Sequence, residues 1–227
     1  MIDIAGNWQR ILERVANAAQ RAGRDPASVC VVAVAKTKPA AMVEAALAAG
    51  VHHIGENYVQ EAAAKIAAVS APATWHFIGH LQRNKARKAV ELFQVVHTVD
   101  SLGLAQALDR HANELQRRLR VLIEVNVGGE ANKSGVAPEA VEPLLTAVGS
   151  CGALQIDGLM AIPPVAVEQE MRSYFRMLRQ LRDRLRTTAP ENARLDELSM
   201  GMTDDFEIAI EEGATMVRIG RAIFGPR

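Results

Sequence analysis

Cysteine is scarce in this sequence. Cys30 and Cys151 are the only two, too far apart for metal-ligand spacing and too few for a disulfide framework. Net charge is absent as well: 26 Lys+Arg stand against 26 Asp+Glu. That balance removes the basic surface with which nucleic-acid binders neutralise phosphates, and argues against a standing anionic membrane partner. No apolar run approaches the ~20 residues that span a bilayer, and the first ten residues lack the basic-then-apolar order of a signal peptide. Low-complexity linkers and close internal repeats are missing too. A cytoplasmic, globular protein is the expectation these absences leave.

What is present is an alternation of short apolar runs with helical patterns. Ile4, Trp8, Ile11, Leu12 and Val15 recur at helical spacing over about 3–22, and Gly23 ends the pattern. The run Cys30–Ala35 follows, with no polar residue on either face, as suits a strand of a parallel sheet covered on both sides. Pro39 suits the first turn of the next helix, and Gly50 closes it. Further strands are expected near 52–54, 75–78, 95–99, 121–127, 155–160, 197–200 and 216–219. Helices are expected between them, about 57–68, 82–92, 102–117, 138–149, 167–187 and 203–212. In the helix at 167–187, Met171, Tyr174, Phe175, Leu178, Leu181 and Leu185 form one apolar stripe, and Arg172, Arg176, Arg179 and Arg182 read as its solvated face. About eight βα units result, the number at which a parallel sheet closes. The expected architecture is a single TIM-type (β/α)8 barrel over 1–227, with an extra N-terminal helix and no C-terminal β-domain. An open doubly wound sheet competes, but its glycine signature is absent after the first strand.

Lys36 ends the first apolar run, which in a barrel puts it at the C-terminal rim where such folds build their sites. An amine held against apolar walls is more often neutral and can form an imine with an aldehyde or ketone. A strand-end lysine that snorkels to solvent fits the same segment. Lys38 reads as solvated or as a secondary anion contact. In the C-terminal third, Ser199-Met-Gly201-Met-Thr-Asp-Asp follows the seventh strand and Arg218-Ile-Gly220-Arg-Ala-Ile-Phe-Gly ends the eighth. Loops at these two positions often cradle a phosphate with glycine N–H groups and a helix start. Ordinary turn glycines, and an Arg218 paired to a carboxylate, are the competing readings.

Together the segments resemble one family. The motifs are Val-Ala-Val-Ala-Lys36-Thr-Lys-Pro, Ile-Gly-Glu-Asn57-Tyr-Val-Gln-Glu, Trp-His-Phe-Ile-Gly-His80-Leu-Gln-Arg-Asn-Lys, Val125-Asn-Val with Lys133-Ser-Gly, Gly158-Leu-Met-Ala, Ser199-Met-Gly-Met-Thr-Asp-Asp-Phe and Val-Arg218-Ile-Gly-Arg-Ala-Ile-Phe-Gly. Essentially the whole chain resembles the pyridoxal phosphate homeostasis protein family, which is similar to the N-terminal barrel of alanine racemase. The resemblance implies pyridoxal 5'-phosphate (PLP) as cofactor, carried as a Schiff base on Lys36. It also implies Ser199, Gly201 and Gly220 as phosphate ligands, Arg218 as partner of the pyridine nitrogen and Asn57 as a further contact. Met160 reads as core, and His76 and His80 as scaffold or rim residues without a proton-transfer role. The implied role is vitamin B6 homeostasis with little or no turnover, with apo PLP-dependent enzymes as recipients; a barrel without the dimerising domain is expected to be a monomer, with a rim dimer as the alternative.

An arginine at the ring nitrogen disfavours the pyridinium that best stabilises carbanions. Racemisation needs a base on each face of the imine. In the alanine racemase pattern the second is a tyrosine of a C-terminal domain, whereas Tyr58 and Tyr174 here sit in no matching context. Three rival readings stand beside the carrier: a PLP-dependent amino-acid racemase, a cofactor-free aldolase or phosphosugar enzyme using Lys36, and a partner-binding scaffold. The basic stretch Arg83–Lys88 reads as a solvated helix start.

Overall fold

The computed structural model describes residues 2–130 and 132–226. Met1, Ala131 and Arg227, which the expected 1–227 domain includes, lie outside the described residues. Eight parallel strands close into a barrel in sequence order, β1 pairing with both β2 and β8. They are β1 (Cys30–Val34), β2 (His53–Glu56), β3 (Thr74–Phe77), β4 (Val95–Val99), β5 (Leu119–Glu124), β6 (Leu154–Met160), β7 (Ala193–Met202) and β8 (Met216–Ile219). Around them run α1 (Ile4–Arg21), α2 (Ala40–Ala48), α3 (Val59–Ala68), α4 (Ala86–Leu92), α5 (Leu102–Glu114), α6 (Val141–Val148), α7 (Glu168–Leu185), α8 (Phe206–Glu211) and α9 (Arg221–Phe224). No helix among the described residues is long and apolar enough to cross a membrane.

Strand alternation divides the barrel into two environments. Outward residues such as Val31, Ala33, Ile54, Phe77, Val96 and Ile156 join the helices in one apolar core. The inner face is mixed. Val95, Leu122 and Met160 form a small buried cluster of their own, which places Met160 in the core as expected. Beside them lie polar groups, including the buried His76, His97, Ser199 and Arg218.

The N-terminal helix has a structural reason. α9 has one turn and cannot cover the β8–β1 seam, so α1 packs against α8, α9 and α2. Its inner face is Ile4, Trp8, Ile11 and Val15, and Asp3 caps its start by accepting from Gly6 N–H. Arg14 clasps Glu207 of α8 through two 2.9 Å hydrogen bonds and lies over the Phe206 ring. Asn7 donates to the Ile223 carbonyl at 2.9 Å.

Candidate cofactor site

The C-terminal ends of the strands hold the site, and the first strand shows how it is built. After Val34 the chain turns sharply, and Thr37 takes φ 64°. A β-branched residue in the left-handed region is strained and persists only where its surroundings enforce it. Here the enforcement is visible. Lys65 of α3, 5% exposed, donates to the Ala35 carbonyl, to Glu56 Oε1 at 2.6 Å and to Glu61 Oε1 at 2.7 Å. Glu61 in turn accepts from the Thr37 N–H. Lys36 is therefore carried on a turn clamped from beneath by a buried ion pair. Lys38 is tied elsewhere, donating to the carbonyls of Gly225 (3.1 Å) and Pro226 (2.6 Å).

On the neighbouring strand, Arg218 projects from β8 and is 4% exposed. Its Nη1 donates to Ser199 Oγ at 2.7 Å and its Nη2 to the Ala161 carbonyl at 2.9 Å. Burial lowers its pKa to about 10, against the raising influence of Asp205 and Glu124, so it stays a cation at neutral pH.

Lys36, Asn57, Ile78, Thr203, Arg218 and Gly220 line one cleft of about 500 Å3. Gly220 caps the one-turn α9, whose first amides have no partner inside the helix. Asn57 is held close because Gly79 has no side chain: a Cβ there would lie 2.3 Å from the Asn57 carbonyl oxygen. Asn57 Oδ1 is buried without a hydrogen-bond partner. An unpartnered acceptor, an amine, a guanidinium, a hydroxyl and a helix start around one cleft suit a small anion that carries a carbonyl and a donor. PLP is such a molecule, and the residues fit it.

Four of the six residues expected at the site, Lys36, Asn57, Arg218 and Gly220, line this cleft. Ser199 and Gly201 are not among its lining residues. Ser199 is fully buried on the inner face of β7, under Arg218. Gly201, at φ 90°, is needed for packing: a Cβ would lie 2.5 Å from the Ala209 Cβ of α8. The strand expectation ended at 200, whereas β7 runs to Met202, so the loop that reaches the cleft begins later. Thr203 is the hydroxyl it brings, a residue the sequence reading passed over. Lys65 also bears on the site, and its i,i+4 spacing from Glu61 carries no sign in the sequence that the ammonium is buried.

Other expectations resolve simply. His76 is fully buried inside the barrel, while the exposed His80 meets Ser134 Oγ at 3.1 Å. Arg83–Lys85 forms a 3-10 turn leading into α4, and Arg87 and Lys88 pair with Glu91, as suits a solvated helix start. Three of the arginines expected on the solvated face of α7 also clasp α8. Arg172 pairs with Glu211 at 2.6 Å, Arg176 with Glu212 at 2.9 Å, and Arg179 donates to the Glu212 carbonyl at 2.9 Å.

Comparison with known proteins places this geometry. The family described as "Alanine racemase, N-terminal domain" matches residues 7–227. A Pseudomonas aeruginosa protein named pyridoxal phosphate homeostasis protein is 50% identical over 229 residues, covering 100% of this chain and 97% of that protein. Its namesake in Escherichia coli K12 is 42% identical, covering 100% and 98%. Among solved structures, PipY of Synechococcus elongatus with PLP bound superposes with a TM-score of 0.83 at 42% identity, covering 95% of this chain and 100% of that one.

Proposed function

The chain belongs to the alanine racemase N-terminal domain family and shares its full length with the pyridoxal phosphate homeostasis proteins; on that premise we propose that it holds PLP for cofactor homeostasis, with little or no turnover. The observation that carries this reading is the meeting of Lys36, from the end of β1, and Arg218, from β8, in one cleft. The described chain works as one PLP-binding unit, monomeric, from which apo PLP-dependent enzymes draw their cofactor.

When bound, PLP supplies an aldehyde that condenses with an amine and a ring that can draw electrons from a neighbouring bond. Lys36 presents its amine from a turn whose conformation is enforced, so little freedom is lost on binding. Thr203 and Gly220, with the first turn of α9, form the phosphate end, and Ser199 supports Arg218 from below rather than reaching the phosphate. Asn57 Oδ1 accepts a hydrogen bond from the bound group. Arg218 faces the ring nitrogen. Guanidinium only donates, so it discourages a proton there and leaves the ring a weak electron sink.

Proton transfer on both faces of a bound amino acid would need a second base beside Lys36. Neither tyrosine lines the cleft: Tyr58 is exposed at the start of α3, and the Tyr174 hydroxyl donates to Glu170 at 2.9 Å on α7. This favours the carrier over the racemase. Titration with PLP, followed by visible absorption, tests the reading. Wild type gains a band red-shifted from free PLP, and Lys36→Ala does not. The same band in both proteins would overturn the role of Lys36, and no band in either would overturn the cofactor. Incubation with alanine in deuterium oxide separates carrier from catalyst: exchange of the α-hydrogen above the rate of free PLP would contradict the carrier.

A further inference from the structure

Three histidines run in single file through the barrel interior. His53 Nδ1 lies 3.0 Å from His76 Nε2, His76 Nδ1 lies 2.8 Å from His97 Nε2, and His97 Nδ1 lies 2.9 Å from Ser199 Oγ. Ser199 Oγ is itself 2.7 Å from Arg218 Nη1. The file thus joins the cleft to the opposite, N-terminal mouth, where His53 lines a second depression of about 500 Å3 with His52, Cys30 and Glu197.

The direction of this chain follows from its cation. Arg218 can only donate, so Ser199 Oγ accepts from it. Burial keeps His76 and His97 neutral, His76 falling to about 3 and His97 well below its usual value, so each ring has one N–H and one acceptor. Two directions are then possible. In the first, the serine hydroxyl donates to His97 Nδ1, His97 Nε2–H to His76 Nδ1, and His76 Nε2–H to His53 Nδ1. In the second, every bond is reversed. The reversed chain leaves the hydrogen of the fully buried Ser199 without an acceptor in the file and points the His97 N–H toward the guanidinium. Both features cost energy. The first direction therefore prevails when His53 is neutral.

We propose that His53, His76 and His97 are positioning residues for Arg218, a directed hydrogen-bond relay through which a proton held at the N-terminal mouth alters the grip of Ser199 on the guanidinium in the cleft. On acidification the relay takes up one proton. The net gain is at His53 Nδ1, while His76 and His97 change from Nε2–H to Nδ1–H and the Ser199 hydroxyl, keeping its own hydrogen, turns away from His97. His53 ends as a cation beside solvent, and Ser199 must accept from both His97 and Arg218. An oxygen shared between two donors holds each less firmly, so Arg218 is released in part. The charged and titratable groups around His53 are His52 on the approach to its own strand, Cys30 on β1, His76 on β3, Arg120 on β5, Asp157 on β6 and Glu197 on β7. Arg120 is paired with Asp157 and lies 3.9 Å from Glu197. Burial lifts the Cys30 thiol to about 12, so it stays neutral. Burial, His52 and Arg120 lower the pKa of His53.

The effect on the cleft rests on the PLP reading above; the relay itself does not. Nitrogen-15 NMR of histidine-labelled protein near pH 7.5, with and without PLP, reads the tautomers directly. His76 and His97 are expected with hydrogen on Nε2, and hydrogen on Nδ1 of either would overturn the relay even if no PLP binds. PLP affinity is then measured at pH 8 and pH 5.5 in wild type and His53→Gln, whose amide oxygen still accepts but does not titrate. Ionisations of PLP are common to both and cancel. The wild-type affinity ratio between the two pH values is expected to exceed that of His53→Gln about threefold or more, a difference of about half a pKa unit. Equal ratios would overturn the coupling. Failure of both proteins to bind PLP would instead overturn the function reading.

Discussion

At the scale of single residues, the site depends on charges held out of water. Lys65 has its ammonium among Glu56, Glu61 and the Ala35 carbonyl, and Glu56 is fully buried. Removing one partner of a buried pair strands the other, so Lys65→Met should cost about 3–5 kcal/mol, read from urea unfolding. A cost below about 1 kcal/mol would show that the clamp under Lys36 is not electrostatic. Glu124 makes a second case. It is buried, its Oε2 has no partner, and burial with the neighbouring Asp100 raises its pKa to about 7, against the lowering influence of Arg218. A carboxyl whose pKa rises on folding stabilises fully below its unfolded value, and that contribution is lost as pH rises through the folded value. Relative to wild type, Glu124→Gln should therefore gain stability between about pH 4.5 and pH 7, by up to about 3 kcal/mol. A difference that does not change with pH would contradict the assignment. Lys36 and Arg218 were legible in the sequence because each stands near the C-terminal end of an apolar strand, where rim position follows from the fold. Ser199 lies beneath Arg218 because β7 runs on through Met200, Gly201 and Met202, an extension that strand ends seldom signal in the sequence. The histidine file could not be read at all, since His53, His76 and His97 stand on three strands and meet only when the barrel closes.

At the scale of elements, the periodicity of apolar residues located nearly everything, because each strand and helix buries a face whose spacing the sequence must carry. α7 shows the limit. Its apolar stripe was plain, and Met171, Phe175, Leu178, Leu181 and Leu185 are indeed buried. The use of its arginines was not, because Glu211 and Glu212 lie at the far end of α8 and are brought near only by the barrel. Glu212 is 6% exposed and accepts from Arg176 at 2.9 and 3.3 Å. Glu212→Ala should cost about 2–4 kcal/mol and loosen α7 from α8, seen as faster hydrogen exchange in α8. Unchanged exchange there would show the clasp to be ornamental.

At the scale of the whole molecule, closure is the property that matters. It brings β1 beside β8, and so sets Lys36 and Arg218, far apart in the sequence, around one cleft. It also divides the interior, leaving most apolar packing to the outer faces of the strands and a polar file beside a small apolar cluster on the inner ones. The eight βα units predicted closure. The cofactor came from the resemblance of long motifs, and the cleft geometry supports it independently through the residues that converge there. The central claim is that PLP is held at Lys36, and the most direct test is chemical. Protein saturated with PLP is reduced with borohydride, digested and mapped by mass spectrometry. The account predicts one dominant phosphopyridoxyl adduct, on Lys36. A dominant adduct on Lys38 or another lysine, or no adduct above that of a denatured control, would contradict it.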